Sequence, residues 1–214
     1  RVMNIDMPRR LCKSLVYQCR DDGMGNLWLC TNQGLVRYNP YRRLLRLFDN
    51  ANSQLPDKEV FCIDFDLGGR GWISTRNGNC IYDPTSETIS TKNLPNKFVA
   101  LGQLRDIQRM EDGQMLFLPQ RGFPVTADAS VLNFTRLSFD VGEDAPNISF
   151  FRKHNGICYF CTDNGFYTFR NDSLRCYGYL DGLTSMEFQR NFQIASDGRC
   201  LVSTNRGLLW TRVS

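Results

Sequence analysis

Histidine is almost absent from this 214-residue sequence, which contains only His154. Metal sites built from clustered imidazoles need more than one histidine, and a Ser-His-Asp arrangement has a single candidate for its base. His154 precedes Asn155-Gly156, a pair typical of hairpin turns, so we expect an exposed turn residue. The sequence also lacks a G-x-S-x-G motif and a Gly-rich phosphate-binding loop. We therefore expect no catalytic residue, no metal and no cofactor.

Long runs of one residue class are missing too. No five like charges are consecutive, and 26 basic against 22 acidic residues give a net charge of +4. This charge is too mild to predict nucleic-acid binding. No window approaches the ~18 consecutive apolar residues of a membrane-spanning helix. Because the chain begins with Arg1 rather than Met, we expect a mature or excised segment of a larger protein.

Cysteine, in contrast, is frequent, with nine residues. The number is odd, and the chain is far longer than the small secreted domains that depend on disulfides. Many of the cysteines lie in predicted strands, so we expect mostly free, buried thiols. Cys158-Tyr-Phe-Cys161 matches C-x-x-C, but residues three apart in a strand point to opposite faces. We therefore expect neither a redox nor a metal role for this pair.

A glycine that closes a tight turn recurs five times along the chain, at spacings of 44, 44, 43 and 42 residues. Six residues before each glycine stands a large apolar residue, and three residues before it stands Thr in four of the five copies. The glycines are Gly34, Gly78, Gly122, Gly165 and Gly207, and the apolar residues are Trp28, Trp72, Leu116, Tyr159 and Leu201. Such a repeat is best explained by five copies of one structural unit.

Each copy carries a second Gly-containing turn upstream, so it is predicted to form four short strands joined by tight turns. In the first copy we expect strands at 15–19, 27–30, 35–38 and 44–48. Four antiparallel strands every ~40–50 residues predict a β-propeller blade. The predicted fold class is all-β, with residues 1–214 forming one propeller domain. The predicted blades are residues 11–49, 60–91, 103–139, 147–179 and 189–212.

Three further expectations follow from the repeat. Trp28 and Trp72 should pack between blades. Residues 2–5 occupy the place of an outermost strand that the last repeat lacks, so they could close the ring by pairing with residues 208–211. The third blade should be degenerate: Pro119 and Pro124 cannot donate to a central ladder, so residues 121–130 should have lost regular pairing.

Recurring residues are expected to serve folding, so the functional candidates are those that depart from the repeat. Asp21, Asp22, Asp112 and Asp197 recur at the first turn, where Asp caps its own backbone. Residues that break the repeat on the entrance side of the inner strands are the candidate ligand-binding set, with an ordinary solvated rim as the alternative. They are Lys13, Lys58, Glu59, Arg105, Asn147, Gln189 and Arg190. Their basic character suits an acidic or polyhydroxylated ligand.

These motifs resemble the two-component regulator propeller family. The segment Asn26-Leu-Trp-Leu-Cys-Thr-Asn-Gln-Gly-Leu-Val-Arg-Tyr-Asn-Pro40 is similar to the family repeat G-N-L-W-I-G-T-x-x-G-L-x-R-Y-D-P. The segment Asp181-Gly-Leu-Thr-Ser-Met-Glu-Phe188, with Ser203-Thr-Asn-Arg-Gly-Leu208, resembles the family's last blade. Cys30 and Ser74 stand where the family usually has Gly. The repeat motif is structural, so the resemblance transfers no binding residue.

The resemblance implies a periplasmic sensor domain of a hybrid histidine kinase or a related regulator. In that family, propellers precede a Tyr-rich β-sandwich, a membrane helix and the kinase, and they sense glycans or their breakdown products. The family usually builds seven-bladed rings, so the five repeats here form either a closed five-bladed ring or part of a seven-bladed one. Further domains of the same receptor are expected as partners, and the chain could form a homodimer.

The leading functional hypothesis is therefore a non-enzymatic sensor that binds an oligosaccharide and relays the signal to a downstream kinase. One alternative is a protein-interaction scaffold, a common role of propellers. A propeller lyase or glycosidase is the third hypothesis, and it would need convergent acid–base groups that the repeat does not supply. Binding of a glycan fragment without turnover distinguishes the first hypothesis from the other two.

Overall fold

The computed structural model of the chain describes residues 9, 11–128, 130–131, 133–142, 146–195 and 199–212, and leaves the side chains of residues 189–191, 211 and 212 undescribed. Its strands form five antiparallel sheets arranged as a five-bladed β-propeller, which confirms the predicted all-β fold. In each sheet the strands follow one another in chain order, so every neighbouring pair is a hairpin. No helix in the described part of the chain is long and apolar enough to cross a membrane.

The strands of the first two blades are β1 (Val16–Asp21), β2 (Leu27–Thr31), β3 (Gly34–Asn39), β4 (Leu44–Phe48), β5 (Val60–Phe65), β6 (Gly71–Thr75), β7 (Gly78–Asp83) and β8 (Thr88–Ser90). The third and fourth blades contain β9 (Leu104–Arg109), β10 (Met115–Pro119), β11 (Val125–Ala127), β12 (Phe134–Arg136), β13 (Phe150–His154), β14 (Ile157–Thr162), β15 (Gly165–Arg170) and β16 (Ser173–Tyr177). The fifth blade has three described strands, β17 (Phe188–Ile194), β18 (Arg199–Thr204) and β19 (Gly207–Arg212). Helix α1 (Asn96–Ala100) and a 3-10 turn (Tyr179–Asp181) precede the third and fifth blades.

The Thr-x-x-Gly repeat forms the turn between the second and third strands of a blade. Thr31 Oγ1 donates to the carbonyl oxygen of Gly34 over 2.7 Å and accepts from the amide of Gln33 over 3.0 Å. Gly34 has a φ of +127°, a region that favours glycine. A Cβ at this position would also collide with the carbonyl oxygen of Phe48. Positive φ is common to all five turn glycines, and at Gly34 the close approach of the outermost strand adds a second requirement for glycine.

An aspartate at the first turn holds the tryptophan of the second strand. The Asp22 carboxylate accepts from the indole Nε1 of Trp28 over 3.0 Å and from the amides of Met24 and Asn26 over 2.8 and 3.1 Å. This arrangement confirms the predicted folding role of Asp22. Burial raises the pKa of Asp22, but the hydrogen bonds from Trp28, Asn26 and Met24 outweigh it, so the pKa lies below its usual value.

The second blade repeats this aspartate–tryptophan contact with a residue that the sequence pattern did not single out. Asp66 accepts from Trp72 Nε1 over 2.9 Å and from the amides of Gly68 and Arg70. In the third blade, Asp112 accepts from the amide of Gln114 over 3.1 Å. The corresponding residue of the fifth blade, Asp197, lies outside the described residues.

The blades pack on one another through the large residue of the second strand. Trp28 and Trp72 are fully buried, which confirms their predicted position between blades. The ring of Trp28 lies 4.7 Å from that of Tyr82 in the second blade, and the ring of Trp72 lies 5.8 Å from that of Phe117 in the third. Replacing such a side chain with alanine typically costs about 3–5 kcal/mol.

The sequence predicted the loss of strand pairing in the third blade and a closing strand near the N-terminus. The prediction that residues 121–130 lack regular pairing is wrong for β11, which pairs with both β10 and β12. Pairing survives because Pro119 ends β10 and Pro124 precedes β11, so neither proline has to donate inside the ladder. The predicted closing strand at residues 2–5 lies outside the described residues.

All nine cysteines are thiols rather than disulfides, and six of them are buried, which confirms the expected buried thiols. Cys158 packs in the cluster between the third and fourth blades, whereas Cys161 packs between the fourth and fifth. Burial raises the pKa of both thiols, which disfavours the reactive thiolate. The exposed-turn prediction for His154 is wrong, because it is the last residue of β13 and its Nδ1 lies 2.9 Å from Oε1 of Glu111.

Candidate functional site

The inner strands of all five blades converge on a central cavity of about 380 Å³. This placement follows from the fold, since the first strand of every blade lies nearest the propeller axis. The cavity carries hydroxyl, amide, guanidinium and aromatic groups side by side. Its lining residues are Val16, Tyr17, Gln18, Cys19, Arg20, Phe61, Arg105, Asp106, Ser149, Arg152, Phe192 and Gln193.

Asp106 on β9 is the centre of a polar network that crosses the channel. Its Oδ1 accepts from Gln18 Nε2 over 2.8 Å and lies 3.4 Å from a guanidinium nitrogen of Arg20, and both of these residues are on β1. Its Oδ2 accepts from Gln108 Nε2 over 3.0 Å and from Arg152 on β13 over 2.8 Å. One carboxylate therefore connects the first, third and fourth blades.

The second blade joins this network through Asp64 on β5. Its carboxylate accepts from the amides of Phe65 and Arg109, and it lies 3.6 Å from Nε of Arg20. Burial raises the pKa of Asp64 above its usual value, although the charge of Arg20 and the two amides act in the opposite direction. The oxygen of the Gln18 amide accepts from the amide of Ile63 over 2.8 Å, which adds a further link between the first two blades.

The entrance of the channel is the end at which the inner strands begin. The turns between second and third strands lie at the same end, because the amide of Arg76 donates to the carbonyl of Glu59 and that of Gln120 to the carbonyl of Gln103. The Glu59 carboxylate accepts from the Tyr17 hydroxyl over 2.7 Å and pairs with Arg76 over 2.9 Å.

Arg105 and Asn147 form the neighbouring part of the entrance. A guanidinium nitrogen of Arg105 donates to Oδ1 of Asn147 over 2.8 Å and to the carbonyl of Gln120 over 3.0 Å. The amide nitrogen of Asn147 lies 3.1 Å from both carboxylate oxygens of Asp163. Arg105 and Glu59 also line one side cavity of about 260 Å³ between the second and third blades.

The structure thus brings together three of the seven predicted site residues: Glu59, Arg105 and Asn147. Lys13 and Lys58 are exposed and line neither the central nor the side cavity. The side chains of Gln189 and Arg190 lie outside the described residues.

Several residues of the channel were missed by the sequence analysis. They are Tyr17, Gln18, Arg20, Asp64, Arg76, Asp106 and Arg152. Polar residues two apart on an inner strand, such as Gln18 and Arg20 on β1, were the available signal, because they share one face of a strand.

The acidic side chains of the entrance and the channel are already engaged by neighbouring groups. The carboxylates of Glu59, Asp106 and Asp163 already accept hydrogen bonds from neighbouring side chains. His154 belongs to the opposite end of its inner strand, away from the entrance. Among the described residues, no group of three or more His, Cys, Asp or Glu side chains is placed to hold a metal ion.

No protein-family model matches the chain, and no curated protein matches it at a significant level. Its fold does match solved structures. The extracellular domain of BT3049, a proposed hybrid two-component system from B. thetaiotaomicron, has a TM-score of 0.81 at 20% identity over 98% of this chain. The extracellular domain of BT4673, a proposed one-component system from the same organism, has a TM-score of 0.72 at 20% identity over 93% of the chain.

An enzyme shares the fold as well. Virginiamycin B lyase from Staphylococcus aureus has a TM-score of 0.61 at 11% identity, and the match covers 92% of this chain and 70% of the lyase. The chain spans only 29% and 27% of the lengths of the two B. thetaiotaomicron domains. At these identities the likeness establishes the propeller fold, and a fold alone does not fix a function.

Proposed function

We propose that this chain is a sensor propeller in the extracytoplasmic part of a two-component signalling receptor, and that it binds an oligosaccharide without turning it over. The repeat resembles that of two-component regulators, and the BT3049 and BT4673 domains that share its fold are extracellular parts of signalling systems. Further domains of the same receptor, including a downstream kinase, would receive the signal.

The observation that carries the proposal is the entrance cluster of Tyr17, Glu59, Arg76, Arg105 and Asn147. Its hydrogen bonds hold hydroxyl, carboxylate, guanidinium and amide groups at the mouth of a cavity of about 380 Å³. Pockets for small molecules typically have volumes of ~300–1,000 Å³ and a few fixed polar groups.

Aromatic side chains beside the polar groups favour a saccharide. Phe61 lines both cavities, and its ring lies 5.5 Å from that of Tyr17. A sugar presents many hydroxyl groups together with an apolar ring face, and this site offers partners for both. The guanidinium groups of Arg105, Arg20 and Arg152 favour a ligand that also bears a carboxylate or sulfate.

Calorimetric titration with a panel of neutral and acidic oligosaccharides tests the proposal. At least one fragment should bind saturably, and Arg105→Ala should weaken it by about tenfold or more, since a hydrogen bond to a charged group contributes ~1.5–3 kcal/mol. Arg175→Ala is the matched control, because Arg175 lies on the outermost strand β16 over the ring of Tyr177. That variant should bind like the original protein.

Three results would contradict the proposal. The first is a folded protein that binds no fragment of the panel. The second is cleavage of a bound glycan, which chromatography of the titration mixture would reveal and which would favour a lyase or glycosidase. The third is binding that Arg105→Ala leaves unchanged, which would place the ligand away from the entrance.

A further inference from the structure

The charged side chains around the central cavity do not balance one another. Of the described residues that line it, only Asp106 carries a carboxylate, whereas three carry a guanidinium group: Arg20, Arg105 and Arg152. Asp64 also approaches Arg20, but it does not line the cavity, and its carboxylate accepts from two backbone amides. The cavity wall therefore has an excess of positive charge. Cations that are partly shielded from water attract an anionic ligand.

Arg20 makes only long contacts with its two carboxylate neighbours. A guanidinium nitrogen lies 3.4 Å from Oδ1 of Asp106, and Nε lies 3.6 Å from Oδ2 of Asp64. Hydrogen bonds from nitrogen to oxygen usually span ~2.7–3.2 Å. The Nε atom is buried and donates a hydrogen bond to no described residue. Because a buried donor without a partner is unfavourable, Arg20 has the capacity to bind a further acceptor.

Arg152 approaches the same carboxylate from the fourth blade. Its guanidinium donates to Oδ2 of Asp106 over 2.8 Å. Since Asp106 contacts Arg20 as well, a second anionic group of similar size can contact both guanidinium groups. Arg105 lies one residue before Asp106 on β9, and its guanidinium reaches the entrance, where it donates to Asn147. An anionic ligand would therefore meet one cation at the entrance and two more inside the channel.

We propose that the channel binds the anionic group of the ligand between Arg20 and Arg152, and that Asp106 is an internal competitor that limits the affinity. The ligand class is a saccharide that bears a carboxylate or a sulfate group. This inference rests on the proposed function, to which it adds the charge of the ligand and the position where that charge binds. Asp106 links the first, third and fourth blades through the same guanidinium groups. Binding of the anion therefore exchanges contacts between blades for contacts with the ligand.

Calorimetric titration with sodium sulfate, at an ionic strength held constant with sodium chloride, tests the anion site. The original protein should bind sulfate saturably. Arg20→Gln should weaken this binding about tenfold or more, since hydrogen bonds between charged groups are the strong ones. Arg175→Gln is the matched control, because it removes the same charge from β16, where the guanidinium lies over the ring of Tyr177. The control should bind sulfate like the original protein.

Asp106→Asn gives the sharpest result, because the two roles of Asp106 act in opposite directions. The variant should be less stable than the original protein, since it loses contacts between blades. It should nevertheless bind sulfate at least about fivefold more tightly, because a negative charge beside the site is removed. Circular dichroism shows whether each variant is folded. If Asp106→Asn does not fold, the comparison of Arg20→Gln with Arg175→Gln decides the question.

Titration with glucose, glucuronate and a sulfated glucose distinguishes the inference from the proposed function. At least one of the two acidic sugars should bind more tightly than glucose, and Arg20→Gln should remove this advantage. Which of the two binds identifies the anionic group. Neutral oligosaccharides that bind, together with no binding of sulfate or of either acidic sugar, would overturn the inference and leave the proposed function intact. Sulfate binding that depends on Arg20, with no saccharide bound, would instead contradict the proposed function and keep the anion site.

Two further results would overturn the inference. One is sulfate binding that is equally strong in Arg20→Gln and Arg175→Gln, which would place the anion outside the channel. The other is sulfate binding that is no tighter in a folded Asp106→Asn variant than in the original protein, which would show that Asp106 does not compete with the anion.

Discussion

The channel network predicts that substitution of Asp106 strongly lowers the stability of the fold. Its carboxylate accepts hydrogen bonds from Gln18, Gln108 and Arg152 and contacts Arg20, and its side chain is 12% exposed. Asp106→Ala removes the shared partner of two guanidinium groups that are themselves about three-quarters buried, at 28% and 24% side-chain exposure. Breaking a buried pair by removing one partner costs ~3–5 kcal/mol.

The expected loss for Asp106→Ala is about 3 kcal/mol, the lower end of that range, because both arginines retain some contact with water. Urea unfolding measures this as a lower midpoint with an unchanged slope. For a chain of this size the melting temperature should fall by about 6–12 °C. Asp106→Asn should lie in between, because the amide keeps one accepting oxygen but turns a donor toward Gln108 and Arg152.

A double-mutant cycle with Arg152→Ala separates the pair from the rest of the network. The double variant should be more stable than the sum of the two single losses implies, because removing Asp106 has already broken the bond to Arg152. Glu87→Ala is the control, since the side chain of Glu87 is 51% exposed and the loss of ion pairs made by such an exposed carboxylate should not shift the midpoint measurably. A loss for Asp106→Ala no larger than that for Glu87→Ala would refute the assignment of Asp106 as the link between blades.

Two further predictions concern the repeat. In urea unfolding, Gly34→Ala should lower the free energy of unfolding by at least about 2 kcal/mol more than Gly207→Ala. Both glycines have positive φ. A Cβ at Gly34 would meet the carbonyl of Phe48, whereas a Cβ at Gly207 would meet no atom within 4 Å. Equal losses would show that backbone strain alone sets the effect. Asp22→Asn should cost about 1 kcal/mol at pH 7. Because the folded-state pKa of Asp22 is lowered, its contribution is complete above the unfolded-state value and is lost as pH falls through the folded-state one. Between pH 5 and 2, the Asp22→Asn variant should therefore lose less stability than the original protein. Acid unfolding curves that run parallel for the two proteins would contradict this.

The sequence by itself determined the blade, because a blade is held by local rules. Positive φ at the turn glycine, the threonine hydroxyl that closes the turn and the apolar residue of the second strand act within some ten residues of one another. Their recurrence at spacings of 42–44 residues therefore revealed five copies of one unit. The same locality explains why the predictions for Trp28, Trp72 and Asp22 were confirmed. The prediction at β11 was wrong because Pro119 ends β10 and Pro124 precedes β11, and the sequence did not show where these strands begin and end.

Only the tertiary structure decided what the blades form together. The Asp106 network joins residues 46 to 88 positions apart, and no periodicity links Gln18 to Asp106 because each blade contributes a different polar residue to the channel. The contact between Arg105 and Asn147 at the entrance also joins different blades, so no periodicity predicts it. Lys13 and Lys58 were predicted at the same end of the channel, but they line neither of its cavities. The exposure of Leu208 likewise could not be predicted from the repeat, because Leu35 and Phe166, which also follow a turn glycine, are buried. A repeat specifies which face of a blade is apolar, but the arrangement of blades in space determines whether that face is covered.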